Sequence, residues 1–234
     1  MAKKYLITRS QKSLPTRLLT RLLQQQTDFI NLTELAPLHL QRKQIQLIKS
    51  ADILALTSGF ALQCIQPFFQ NSAKKPQLAV ISTRLQLLAQ KAGFDSVLTS
   101  RSEQQDSLAT MLRARMYARK RILWLRGDLS DRYNPLNLNA KNWQALVVYK
   151  NSVTYLQALR LAHLLQVQDY DKILVTSNSA FERIIDIDPK LSADFVSMSY
   201  KSAHLIQSKG FNAIAPKQGQ QRLEAAVKLL LTDS

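Results

Sequence analysis

The sequence predicts an α/β protein built from two similar open parallel-sheet units, and three observations carry that prediction. Short, nearly continuous apolar runs rich in β-branched residues alternate with stretches of helical periodicity, as a parallel sheet covered on both faces demands. The segment DILALTSGFALQCI (52–65) returns as DKILVTSNSAFERI (171–184). Two further pairs keep the same interval: LITRS (6–10) with LWLRG (123–127), and KAGF (91–94) with SKGF (208–211). Leu6 to Leu123 spans 117 positions, Asp52 to Asp171 spans 119 and Lys91 to Ser208 spans 117. An offset this constant over three separate elements indicates an internal duplication. A chain of 234 residues accommodates two units of about 115 residues, each able to bury a core. Two such units are expected to face one another across a crevice.

From the N-terminus, the apolar run at 5–8 predicts the first strand, and the spacing that follows predicts a helix over 12–25. The run at 29–32 is the second strand and ILAL (53–56) the third. Ser58 then stands as an N-cap for a helix over 59–69, in which Phe60, Ala61, Cys64, Ile65 and Phe68 recur at helical spacing. Strands fall at 77–81 and 96–98 with a helix over 83–91 between them. A helix over 107–115 leads to a strand at 121–125, and a further strand runs over 145–149. The last third alternates likewise: helix 154–165, strand 173–175, helix 179–184 behind the N-cap candidate Ser177, strand 195–198, helix 201–209, strand 213–215 and helix 220–231.

Composition narrows the function classes. The N-terminal MAKKYLITRSQKSLP contains only a three-residue apolar run (5–7), too short for a signal-peptide core, and no later segment approaches eighteen uncharged apolar residues. A soluble, cytoplasmic protein is expected, with no membrane partner. The single cysteine, Cys64, sits in an apolar helical pattern and reads as a small buried hydrophobe, so no intrachain disulfide framework exists. The histidines, His39, His163 and His204, are isolated, and no Cys/His/carboxylate cluster has metal-ligand spacing. Against this, 32 Lys and Arg oppose 16 Asp and Glu, a formal charge of +16 that favours an anionic partner.

The candidate binding residues lie where strands end and helices begin. In open α/β sheets that edge presents unpaired helix N–H groups and the positive end of the helix dipole. Thr57, Ser58 and Gly59 occupy it in one copy of the repeat, and Thr176, Ser177, Asn178 and Ser179 in the other. Either serine could simply cap its helix; recurrence in both halves argues for an anion cradle as well, and the two roles are compatible. Arg9 and Arg126 end the first strand of each half and bring guanidinium groups to the same edge, where Gly127 permits close backbone approach.

The ordered set ITRS (7–10), DILALTSGFAL (52–62), AGF (92–94), ILWLRGD (122–128), LVVYKN (146–151), DKILVTSNSAF (171–181) and SYKSAHLIQSKGF (199–211) resembles the uroporphyrinogen-III synthase family nearly end to end. The resemblance implies two flavodoxin-like domains joined by a two-stranded linker, with the first elements exchanged. Residues 1–35 and 153–234 would form one domain and 36–152 the other, with linker strands near 36–39 and 146–152. It implies an enzyme that uses no metal or organic cofactor. Its substrate would be hydroxymethylbilane, a linear tetrapyrrole with eight carboxylates, cyclised with inversion of the last ring. Its other partner would be the upstream deaminase, and it would act as a monomer. It also points to the tyrosine of a "VY" motif, here Tyr149, as proton donor; without the family, a tyrosine at a strand end reads as a packed aromatic. The family's GxxTA becomes Ser199-Tyr200-Lys201-Ser202-Ala203, which adds Lys201 and Ser202 to the binding set; the first-half counterparts are Ser82 and Leu85. Asn142 stands where the family places a glycine before the VY strand, a position an asparagine in left-handed conformation would fill.

Two other readings compete. The basic run RARMYARKR (113–121) would suit a nucleic-acid-binding α/β protein, although it reads equally as a solvated helix end, and the aromatic residues are not interleaved with it. A duplicated sensor for another small anion would keep the fold without catalysis. The expectation carried forward is the synthase, without a nucleic-acid partner.

Overall fold

The computed structural model describes residues 3–130, 142–217 and 221–232. By backbone contacts the chain divides into unit 1, Met1–Glu34 with Ser152–Ser234, and unit 2, Leu35–Asn151. Unit 1 begins with β1 (Lys4–Ile7), α1 (Thr16–Leu23) and β2 (Gln26–Phe29). After β3 (Glu34–Pro37) come α2 (Arg42–Ser50), β4 (Ile53–Leu56), α3 (Gly59–Ile65), β5 (Gln77–Val80) and α4 (Thr83–Lys91). Next are β6 (Val97–Thr99), α5 (Gln105–Leu112), β7 (Ile122–Gly127) and β8 (Trp143–Ser152). The remainder of unit 1 is α6 (Tyr155–Val167), β9 (Lys172–Val175), α7 (Asn178–Ile187), β10 (Asp194–Ser197), α8 (Tyr200–Ser208), β11 (Ala213–Ile214) and α9 (Arg222–Leu231).

Unit 1 holds a sheet in the order β11-β10-β9-β1-β2 with parallel neighbours throughout. In unit 2 the order is β3-β8-β7-β4-β5-β6, and the pairs from β8 to β6 are parallel. Laid over one another, β1 matches β7, β2 matches β8, β9 matches β4, β10 matches β5 and β11 matches β6. This is the flavodoxin-like 2-1-3-4-5 order, twice. It also explains the repeat in the sequence, which pairs the same strands. Each sheet reverses its winding at one point, between β1 and β9 in unit 1 and between β7 and β4 in unit 2, and ligands of such sheets gather outside the strand C-termini there.

Both sheets are covered on two faces, and side chains alternate between the layers. In unit 2, Leu54 and Leu56 of β4 join Leu78, Val80, Leu123 and Leu125 in one core, while Ile53 and Ala55 join Ala79, Ile122 and Trp124 in the other. In unit 1, Leu6, Ile173, Val175 and Phe195 lie on one side, and Tyr5, Ile7, Leu174 and Val196 on the other. Strands buried on both faces carry no polar alternation, which is why they read as unbroken apolar runs.

Two of the recurring residues prove to be fasteners. Asp52 and Asp171, each immediately before its strand, accept the backbone N–H of Arg121 and of Lys4 respectively, both at 2.8 Å to Oδ2. Gly93 and Gly210 end α4 and α8 with φ of 81° and 89°. There the N–H groups of Phe94 and Phe211 reach back to Ala89 and Ile206, the bond of a Schellman cap.

Several predicted elements are corrected. The second strand is Gln26–Phe29, not 29–32: the polar QTDF pairs with β1, and the apolar Ile30 and Leu32 are buried beyond its end. The helix expected over 12–25 is a 3-10 turn, Gln11–Ser13, followed by α1 behind Pro15. α2 was not expected, because RKQIQLIKS buries only Ile48; a capping box between Gln41 and Gln44 starts it. The helix placed over 220–231 begins at Arg222, and residue 220 lies outside the described residues. Asn142 is not left-handed, Gln221 being the one described non-glycine residue with positive φ; its amide instead donates to the carbonyls of Ala118 and Lys120 at 3.0 and 2.9 Å.

Candidate active site

The C-terminal edge of the unit 2 sheet gathers Thr57, Ser58, Gly59, Arg126, Gly127 and Tyr149. Leu56 pairs with Leu125, so Thr57 and Arg126 emerge side by side at the winding reversal. Ser58 caps α3: its Oγ accepts the Phe60 N–H at 3.2 Å. Gly59 opens the helix without needing to be glycine, since a Cβ there would meet Leu88 at an ordinary 3.7 Å. Arg126 is half-buried; one terminal nitrogen donates to the carbonyls of Gly127 and Ser130 at 3.2 and 3.5 Å, and the guanidinium lies 5.7 Å from the Trp124 ring centre. Its Nε is buried without a partner, and among the described residues this arginine is held by backbone carbonyls and the Trp124 ring.

Tyr149 reaches the edge through an irregularity. The β7–β8 register pairs Arg126 with Val147 but Gly127 with Tyr149, so Val148 is an extra residue on β8. The bulge breaks the alternation, and Val148 and Tyr149, though adjacent, both pack on the same core layer as Leu146. The tyrosine ring meets Phe60 edge-to-face at 5.4 Å and 80°. It also lies against Gly127, where a Cβ would stand 2.5 Å from Cε2 and 2.8 Å from Cζ. Phe60 is the residue that sequence reasoning passed over. Recurrence could not flag it, because its counterpart in the other half is Ser179.

Unit 1 presents the corresponding edge with different chemistry. Its first strand ends at Ile7, so Arg9 sits in the following turn rather than at the strand end, with its Nε donating to Ser13 Oγ at 2.9 Å. Thr176 is part of the sheet's edge: its hydroxyl donates to the Thr8 carbonyl at 2.9 Å and its N–H to Thr8 Oγ1 at 3.0 Å. Ser177 caps α7 through the Ala180 N–H at 3.2 Å, and its Oγ lies 3.1 Å from that of Ser179. Asn178 is exposed in the first turn. Ser199, in the family's glycine position, caps α8 through the Ser202 N–H at 3.2 Å and donates to Ser202 Oγ at 3.0 Å. Lys201 is exposed beside it. Ser82 caps α4 in the same way, through the Leu85 N–H. Four serines thus serve four helices at equivalent places, and capping accounts for the recurrence of Ser58 and Ser177.

Cys64 is half-buried in the α3 core, and desolvation pushes its thiol pKa up, the condition of an unreactive sulfur. Among the described residues no group of three His, Cys, Asp or Glu side chains is placed to hold a metal ion.

Comparison with solved structures finds this architecture elsewhere. A mutant uroporphyrinogen III synthase from the extremely thermophilic bacterium Thermus thermophilus is 13% identical, with 97% of this chain and 96% of that chain covered and a TM-score of 0.67. The uroporphyrinogen-III synthetase of Helicobacter pylori is 17% identical, with 98% of each chain covered and a TM-score of 0.62. At these identities the likeness is one of fold. No curated protein sequence matches the chain. The family model described as uroporphyrinogen-III synthase HemD matches residues 18–223, which takes in the winding reversal of the unit 2 sheet, both Thr-Ser edges and Tyr149, and begins after β1. With that match over most of its length, and two doubly wound sheets of one strand order, the chain belongs to the uroporphyrinogen-III synthase family.

Proposed function

We propose that the protein cyclises hydroxymethylbilane to uroporphyrinogen III with inversion of the terminal ring, a lyase reaction that releases water, and that Tyr149 is its proton donor. The family match carries the reading, and the position of Tyr149 at the C-terminal edge of the unit 2 sheet, beside the winding reversal, supports it. The phenol gives its proton to the departing hydroxymethyl oxygen. The C–O electron pair leaves with that oxygen as water, and an azafulvenium cation remains beside the phenolate. The substituted carbon of the terminal pyrrole then attacks the cation to form a spiro intermediate, which reopens and closes with the ring inverted. Loss of a ring proton restores aromaticity and can return the phenol to its neutral state.

Unassisted closure gives the symmetric isomer, so the protein's contribution is positional: it holds the terminal ring for attack through the hindered carbon. Eight carboxylates require compensation, and a charge-assisted hydrogen bond contributes roughly 1.5 to 3 kcal/mol. Arg9, Arg126 and Lys201, the Ser202 hydroxyl, and Thr57, Ser58, Gly59, Gly127, Thr176, Ser177, Asn178 and Ser179 at the two sheet edges are the proposed ligands. In this reading the enzyme works as a monomer in the cytoplasm, taking its substrate from the deaminase that makes it. No helix among the described residues is long and apolar enough to cross a membrane.

The test is an isomer analysis of the product formed from fresh hydroxymethylbilane. The type III isomer is expected, and a product of type I alone overturns the assignment. Tyr149→Phe should lower kcat by about 10²-fold, the scale of general-acid catalysis, with product affinity retained. Unchanged turnover removes Tyr149 from the donor role.

A further inference from the structure

Gly127 poses a question that its backbone does not answer. The described glycines with positive φ are Gly93 and Gly210, so Gly127 has a conformation open to any L-residue. What excludes a side chain is Tyr149: a Cβ on Gly127 would lie 2.5 Å from Cε2, 2.8 Å from Cζ and 3.1 Å from the phenolic oxygen. These atoms are the far end of the tyrosine, the end that bears the hydroxyl. The bare Cα of Gly127 is therefore the surface on which the reactive edge of the ring rests.

Two more contacts restrict the same side chain. Phe60, from the first turn of α3, meets the ring edge-to-face at 5.4 Å. The backbone below the ring is held by Asp128, whose N–H donates to the Tyr149 carbonyl at 3.1 Å and whose Oδ1 accepts the Asn151 N–H at 2.8 Å. A tyrosine has two side-chain torsions. With the backbone fixed by the bulge and by Asp128, a surface at Gly127 and a neighbour at Phe60 restrict where its hydroxyl can point.

We propose that Gly127 and Phe60 are positioning residues for Tyr149, setting the place of its hydroxyl at the reacting centre; this rests on the assignment of Tyr149 as the proton donor. Neither residue touches the reacting atoms in this scheme; a carboxylate contact from the Gly127 backbone survives the change to alanine, so the positioning effect tested is the one that acts through the tyrosine.

The experiment compares Gly127→Ala, Phe60→Leu and Tyr149→Phe, singly and with each of the first two combined with the third, by kcat, KM and product isomer ratio. Because a misplacement of about 1 Å costs up to about 10²-fold, Gly127→Ala should lower kcat by about 10- to 100-fold and Phe60→Leu by a smaller factor, with KM held within about twofold. The decisive result is non-additivity: once the hydroxyl is gone there is nothing to misplace, so neither substitution should lower kcat further in the Tyr149→Phe background. Multiplicative losses in the double variants overturn the proposal, since they show an effect not routed through Tyr149. Circular dichroism and a thermal melt confirm folding, and if Gly127→Ala does not fold, Phe60→Leu carries the same cycle. Should Tyr149→Phe leave kcat unchanged, the donor assignment fails and the proposal with it. Should it slow turnover while Gly127→Ala and Phe60→Leu leave kcat unchanged, the donor stands and the positioning role falls.

Discussion

Asp52 accepts the Arg121 backbone N–H at 2.8 Å, and its Oδ2 lies 3.5 Å from the Arg121 Nε. That backbone bond first, and then the guanidinium charge beside it, holds the carboxyl below its ordinary pKa. The sign of the linkage follows: a carboxyl depressed in the folded state contributes stability that is fully present above its unfolded pKa of about 3.9 and is lost as pH falls through the folded value. An Asp52→Ala variant should therefore be less stable than the parent by a constant margin from about pH 5 to 8, with the margin shrinking below about pH 4. Chemical denaturation at a series of pH values measures this, and a margin that does not shrink in acid would show that the residue works through packing instead. Tyr149 makes the contrasting case. Its counterpart segment in unit 1 offers the buried Ile30 and Leu32, so nothing about the shared scaffold asks for a phenol there. Residues that recur, Asp52 with Asp171 and Ser58 with Ser177, have architectural duties; the phenol that β8 carries past its bulge has no counterpart in the segment after β2.

At the scale of elements, the strands were legible because each is buried on both faces and so writes an unbroken apolar run. ILAL (53–56) matched to the residue, and most others fell within one or two positions. The exceptions lie where burial is partial. β2 is an edge strand whose polar QTDF gives no such run, and β3, ELAP, is largely exposed. α2 hides because its apolar face is short, with Ile48 fully buried and only Ile45 and Leu47 packed partly against the core beside it. The helix ends were clearer. Gly210 closes α8 with φ of 89°, and a Cβ added there would meet nothing within 4 Å. Its replacement by alanine therefore tests backbone strain free of steric crowding, and should destabilise the protein by about 1 to 2 kcal/mol. Denaturant midpoints would report it, with Gly210→Asn expected to lose less because asparagine tolerates the left-handed region better. Equal losses for the two substitutions would mean that the cap is not limited by conformation. The bulge in β8 belongs to the same scale and was not legible. Nothing in LVVYKN distinguishes a regular strand from one with an extra residue, because the irregularity lies in the pairing with Arg126 and Gly127 rather than in the run itself.

For the molecule as a whole, the duplication was legible as a constant offset, and the strand order explains why the offset persists: the chain builds one doubly wound sheet twice from equivalent strands. The reaction was not legible from the repeat. Duplicated features report the scaffold, whereas ring closure needs a group that need exist only once, and the proposal of Tyr149 for it rests on resemblance rather than on spacing. The net charge of +16 is the remaining global property, and it bears on substrate capture more than on folding. If a linear tetrapyrrole with eight carboxylates is drawn in by that field, the attraction is screened over about 10 Å at 0.1 M ionic strength and about 3 Å at 1 M. Raising salt from about 0.05 to 0.5 M should then increase KM by roughly three- to tenfold, while kcat stays constant. Steady-state rates at several ionic strengths decide the matter. A flat KM would mean that the carboxylates are bound by short, desolvated hydrogen bonds to backbone amides, which salt screens little, and would shift the weight of recognition from Arg9, Arg126 and Lys201 to the turns after β4 and β9.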